Sequence, residues 1–205
     1  MCCLFGFVDY AGSLSVKQRN RLIRELSIAA EARGTDATGI AYNTSRGLQV
    51  YKRPLAAHRL HLRIPAEARA VMGHTRMTTQ GSAKKNYNNH PFFGHVKEES
   101  FALAHNGVLW NDLELRHAKH LPRTKVQTDS YIAVQLLEQK KSLDFDSLRY
   151  MAEQVEGSFS FTVLDEQSAL WIVKGDSPLS IAYFPERGVY VYASTVEILN
   201  KALTR

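Results

Sequence analysis

Met1-Cys2-Cys3-Leu4-Phe5-Gly6-Phe7 opens this 205-residue chain. The run is too short and too weakly charged to be a signal peptide, and no basic leader or small-residue cleavage site goes with it. Removal of the initiator methionine, usual ahead of a small second residue, would leave Cys2 with a thiol and a free α-amine on one residue. A thiol is mostly protonated at neutral pH, whereas an α-amine titrates near ~7.7–8.0, so the amine can act as base for its own side chain, directly or through a water. Such a terminus must be seated in a cleft, with Leu4, Phe5 and Phe7 as the apolar anchor of an opening strand. An ordinary hydrophobic first strand carrying two buried cysteines accounts for the same seven residues. The rest of the chain has to decide.

Composition narrows the field. With 205 residues and 44% hydrophobic content, the chain is long enough for one well-packed domain and short for two, so residues 1–205 are expected to form a single domain. Cys2 and Cys3 are the only cysteines; adjacent residues cannot staple distant segments, and they make no metal-ligand spacing with the histidines. No metal and no cofactor are therefore expected, and a reducing, cytoplasmic home is. No apolar run approaches the ~20 residues of a membrane span. The net charge of +6 raises nucleic acid as a partner, but Lys and Arg are spread through the chain without forming one block, which argues against it.

Between Ser15 and Arg33, Leu22, Ile23, Leu26, Ala29 and Ala30 recur at helical spacing, and Gly34 stands where a left-handed residue would end the helix. Gly39–Tyr42 and Leu48–Tyr51 read as a hairpin. Residues 55–63 mix signals and are read as a surface excursion. Ala70–Thr75 and Phe101–His105 read as strands, separated by a polar loop over 78–90, and Asn106-Gly107 reads as a sharp turn at a strand end. A helix follows Thr128 or Asp129, either of which can cap it, and another spans about 146–155. Period-two alternation over 158–163, 169–173, 179–183 and 189–193 predicts strands, and a helix over 196–203 closes the chain. Strand-rich ends around a helical middle give a mixed α and β protein.

If Cys2 is a nucleophile, amide cleavage also needs oxyanion donors and substrate contacts. The Asn106 carboxamide and the Gly107 amide can supply two donors to one oxygen. Arg76 offers the planar fork that a carboxylate prefers, and Asp129 can accept from an ammonium. Each has an ordinary explanation by itself: a turn, a surface arginine, a helix cap.

Together these residues resemble the class II glutamine amidotransferase domain of the N-terminal-nucleophile hydrolases. The matching blocks keep the family's order: residues 1–6, Arg33-Gly34-Thr35-Asp36-Ala37-Thr38-Gly39-Ile40-Ala41, Gly73-His74-Thr75-Arg76 through Gly81, Asn89-His90-Pro91-Phe92, His105-Asn106-Gly107, Thr128-Asp129-Ser130, and Glu156 through Phe161. The resemblance implies an α+β, four-layer α/β/β/α sandwich. It implies Cys2 as nucleophile, Asn106 and Gly107 as oxyanion hole, Arg76 for the substrate α-carboxylate and Asp129 for its α-ammonium. Thr79 falls in the glutamine-binding segment, and Arg33 and Gly34 match an element that shapes the site. Cys3 stands where the family usually has Gly, and Met77 and Gln80 also depart from its pattern. The implied reaction hydrolyses the side-chain amide of L-glutamine to glutamate and ammonia through a Cys2 thioester. Such domains are commonly joined to a synthase; no Gly-rich phosphate loop stands here, so the expected acceptor is a separate synthase protein or plain water. Action on another γ-glutamyl or peptide amide, or an inactive module of the same fold, are the alternatives.

Overall fold

The computed structural model describes residues 2–204, with ten strands and five helices among them. The first strand, β1 (Cys3–Asp9), sorts its side chains by the two-residue period of a strand. Cys3, Phe5 and Phe7 join one hydrophobic cluster, and Leu4 joins another on the opposite face. Around β1 the first sheet runs β3 (Gly47–Arg53), β2 (Ala37–Thr44), β4 (Ala70–Arg76), β1, β10 (Val189–Ala193), β9 (Ser180–Phe184). Neighbouring strands pair antiparallel, with Cys3 opposite Thr75 and Phe5 opposite Ala193. The second sheet runs β5 (Phe92–His95), β6 (Ser100–Leu109), β7 (Gly157–Asp165), β8 (Leu170–Lys174), also antiparallel.

Three clusters define four layers. Ile23, Leu26, Ala29 and Ala30 of α1 (Val16–Ala30) and Ile198, Leu199 and Ala202 of α5 (Val196–Leu203) pack on the Cys3, Phe5 and Phe7 face. Leu4, Ala41, Met72, Ala102, Ala104, Leu164 and Tyr192 fill the space between the sheets. Ile132, Leu136 and Leu137 of α3 (Tyr131–Lys140), with Leu148 and Met151 of α4 (Phe145–Gln154), cover the far face of the second sheet. This is the α/β/β/α sandwich that the resemblance implies. The remaining helix, α2 (Asp112–Ala118), follows β6.

Local chemistry explains the boundaries. Ser15 and Gln18 close a reciprocal capping box that starts α1, and the chain leaves Ala30 through a 3-10 turn at Glu31–Arg33. Gly34 corrects the expected left-handed cap: its φ is 173°, extended backbone. Glycine is needed there for space, because a Cβ would lie 2.4 Å from the Arg76 carbonyl carbon. Asn106-Gly107 is a second correction. The pair lies inside β6, opposite Ser160 and Phe159 of β7, and makes no turn. Thr128 and Asp129 are a third, since neither side chain caps α3; Ser130 occupies the cap position, and its side chain does not cap the helix either. The expected loop over 78–90 holds a 3-10 turn at Asn86–Asn88, and β5, directly after it, and α2 were not foreseen.

Candidate active site

The two cysteines part at the start of β1. Cys3 is fully buried in the helix-side core and its thiol donates to the Leu4 carbonyl over 3.2 Å. Cys2 is half-buried and donates to the Met77 carbonyl, just past the end of β4, over 3.5 Å. Arg33 holds the Cys2 carbonyl through Nε at 2.8 Å, while Gly34 presses against the Arg76–Met77 peptide. The Arg-Gly pair therefore brackets the backbone on which Cys2 rests. Burial pushes the Cys2 thiol above its usual pKa; the positive charge of Arg76 pulls it down and the Asp129 carboxylate pushes it up. Both charges thus bear on the same sulfur. Burial pushes the Cys3 thiol up to about 11.

Across the sheet interface, β6 carries Asn106, which is 1% exposed and donates from Nδ2 to Ser194 Oγ over 3.4 Å. Gly107 has φ +148°, and a Cβ there would lie 1.9 Å from the Ser158 carbonyl oxygen. Only glycine permits this local twist of the strand. Ser194, just past β10, also accepts from the Leu4 amide at 2.9 Å and returns a bond to the Leu4 carbonyl at 2.9 Å. Nothing in the sequence marks Ser194: a serine between a strand and a helix reads as a linker.

Arg76 ends β4 and is almost wholly buried. Its guanidinium donates to Asn89 Oδ1 (2.7 Å), the Gln80 carbonyl (2.5 Å) and the Gly81 carbonyl (3.2 Å), pinning the loop that follows its own strand. Asp129 accepts from the Leu109 amide at the end of β6 (2.7 Å) and from the Ser130 hydroxyl (3.3 Å). Gln80 connects the two, because its side-chain oxygen takes the Asp129 amide at 2.9 Å. Gln80, a departure from the family pattern, is thus a structural link. Thr79 is exposed on the same loop.

Beneath these groups lie three buried histidines from the matching blocks. His74 donates to the His105 carbonyl at 3.1 Å and its ring lies 4.2 Å from that of His90. His105 contacts Ser130 Oγ at 2.8 Å and the Ser158 carbonyl at 3.3 Å. Burial drives all three pKa values down, to about 3 for His74, about 4 for His105 and well below normal for His90, so they are neutral spacers at pH 7. An open cleft of 510 Å³ is lined by Glu31–Asp36, Met77 and Thr78. It adjoins the backbone that holds Cys2; Asn106, Arg76 and Asp129 do not line it. No group of His, Cys, Asp and Glu suited to a metal occurs among the described residues. Nor does any described helix have the length and apolarity to cross a membrane.

The family model described as the glutamine amidotransferase domain matches residues 74–201, and the chain belongs to that family, with the N-terminal-nucleophile hydrolase fold. The glutamine–fructose-6-phosphate aminotransferase of Bacillus licheniformis is 31% identical over 184 residues, which cover 86% of this chain and 30% of that protein. The Thermus thermophilus enzyme of the same name is 33% identical over 173 residues, 81% of this chain and 27% of its own. The chain thus spans about 30% of the length of the relatives it matches. Among solved structures, a glutamine phosphoribosylpyrophosphate amidotransferase from B. subtilis superposes with a TM-score of 0.72 at 21% identity, covering 98% of this chain and 43% of that one. A structure described as the allosteric regulatory enzyme of purine biosynthesis gives 0.77 at 20% identity, with the same coverages. At those identities the likeness concerns the fold.

Proposed function

We propose that this domain hydrolyses the side-chain amide of L-glutamine through Cys2. Once Met1 is removed, the Cys2 α-amine takes the thiol proton and Sγ attacks the amide carbon. The tetrahedral oxyanion is held by Asn106 Nδ2 and the Gly107 N–H. Its collapse expels ammonia, which carries away the proton taken up by the amine, and leaves a γ-glutamyl thioester on Cys2. Water then attacks the thioester, glutamate departs and the thiol is restored. Arg76 receives the substrate α-carboxylate, Asp129 its α-ammonium, and Thr79 contributes from the loop. Arg33 and Gly34 keep the nucleophile's backbone in place.

The observation that carries this reading is the grouping of a cationic and an anionic side chain beside one thiol: Cys2 Sγ rests on the Met77 carbonyl next to Arg76, and Gln80 ties Arg76 to Asp129. A free amino acid presents those two charges at its α-carbon. Residues 1–205 are taken as one working amidotransferase domain. The ammonia goes to a synthase site outside these residues, on a separate protein, or is released. Two free thiols support a cytoplasmic location. The deciding experiment is ammonia release from Met1-processed protein given glutamine. Activity on γ-glutamyl peptides with none on free glutamine would overturn the choice of substrate.

A further inference from the structure

Ser194 lies where the two sheets meet and is fully buried. Its backbone N–H donates to the Leu4 carbonyl and its Oγ accepts from the Leu4 N–H, both at 2.9 Å. This two-way bond locks the residue two positions after Cys2, beyond the last β1–β10 ladder pair at Phe5 and Ala193. The same Oγ takes Asn106 Nδ2 from the other sheet at 3.4 Å. One oxygen therefore touches both the strand that bears the thiol and the carboxamide placed in the oxyanion hole.

A serine hydroxyl has two acceptor sites and one proton to give. Here N–H groups of Leu4 and Asn106 occupy the acceptor sites. The end of the Asn106 amide that faces the hydroxyl is therefore the NH2 end. That sets the orientation of the carboxamide: one N–H goes to Ser194, and the second is free for an acyl oxygen. A reversed amide would present its carbonyl oxygen to the developing oxyanion, a repulsive arrangement.

We infer that Ser194 is a positioning residue that fixes the orientation of the Asn106 carboxamide and its distance from the Cys2 thiol. The inference rests on the proposed roles of Cys2 and Asn106. Replacing Ser194 by alanine keeps the backbone bond to Leu4 but leaves the Leu4 amide and the Asn106 carboxamide without their acceptor. Because the oxyanion forms only in the transition state, the effect belongs in kcat.

The test uses Met1-processed wild type, Ser194→Ala, Ser194→Thr, Asn106→Ala and the Ser194→Ala/Asn106→Ala double variant. Glutamine hydrolysis is normalised to the sites titrated by a thiol-directed chloroketone analogue of glutamine, so a reduced folded fraction does not count as lost catalysis. Removing an oxyanion donor typically lowers kcat ~10²–10³-fold, so loosening one is expected to lower it ~10- to 100-fold with KM within about twofold. Ser194→Thr, which keeps the oxygen, is expected to recover most of the loss. The double variant is expected to be no slower than Asn106→Ala alone. Unchanged kcat per titrated site in Ser194→Ala overturns the inference, as does a loss that falls on KM or multiplies with Asn106→Ala. Each of these failures leaves wild-type activity intact. A wild type that releases no ammonia from glutamine overturns the glutaminase reading itself, and the inference with it.

Discussion

Cys2 and Cys3 are joined by one peptide bond, yet their thiols serve different sides of the first sheet. Cys3 is sealed under α1 with Phe5 and Phe7, while Cys2 reaches the Met77 carbonyl at the end of β4. The strand's two-residue period, with Leu4 facing the sheet interface, separates them. The second cysteine is therefore filling material in the core.

The first prediction follows from that separation. Cys2→Ala abolishes ammonia release from glutamine, whereas Cys3→Ala keeps it and loses about 1 kcal/mol of stability for the small void it leaves. Iodoacetamide at pH 8 labels Cys2 well before Cys3, whose thiol is buried and pushed up to about 11. Peptide mapping of the labelled protein checks it; faster labelling of Cys3 would reverse the assignment.

Gly107 supports a test of backbone geometry. In a left-handed turn, asparagine substitutes for glycine at little cost. At φ +148° inside β6, with Ser158 O at 1.9 Å from a would-be Cβ, it does not. Gly107→Ala and Gly107→Asn are both expected to lose about 2–4 kcal/mol from combined backbone strain and overpacking. Urea unfolding measures this, and a stable Gly107→Asn would restore the turn.

Much of this architecture was legible because β1, α1, β7, β10 and α5 carry strong hydrophobic periods that their tertiary partners reinforce. What escaped was settled by partners distant in sequence. Asn106-Gly107 has turn chemistry, but pairing with Ser160 and Phe159 keeps it in a strand. Gly34 has helix-stop chemistry, but its reason is the Arg76–Met77 peptide. Asp129 precedes a helix as a cap would, but its carboxylate is taken by the Leu109 amide across the fold. Phe92–His95 is too short to show a period, and Ser194 acts through one oxygen that no pattern records.

The buried histidines predict acid sensitivity. Their folded pKa values lie below the unfolded value, so the unfolded chain binds protons first as pH falls. The stability they contribute is complete above about pH 6.5 and is lost on acidification toward the folded values, about 4 for His105 and about 3 for His74. Between pH 6 and 4 each is expected to remove up to about 1.4 kcal/mol per pH unit. His74→Gln should flatten the slope by roughly one such share. Urea titrations at several pH values measure it, and an unchanged slope would mean that His74 is not buried in its neutral form.

The last prediction concerns Arg76 and Asp129, the pair proposed to select a free amino acid. Arg76 already gives three N–H groups to Asn89, Gln80 and Gly81, so its loss acts on the loop as well as on the substrate. Arg76→Ala is expected to raise KM for glutamine sharply, and Arg76→Lys is not expected to rescue it. Lysine keeps the charge but loses the planar fork, and most of the ~1.5–3 kcal/mol of a hydrogen bond to a charged group stays missing. Asp129→Asn separates binding from scaffolding. Its amide can still accept from the Leu109 N–H, but it no longer attracts an ammonium. It should therefore weaken glutamine by ~10-fold or more while changing little for the analogue that lacks the α-amine, since that analogue never made the contact. Ammonia release from both substrates, for wild type and the three variants, gives the comparison. Equal losses on glutamine and the deamino analogue would make Asp129 a strut between β6 and α3, and would remove the main argument that this site receives a free amino acid.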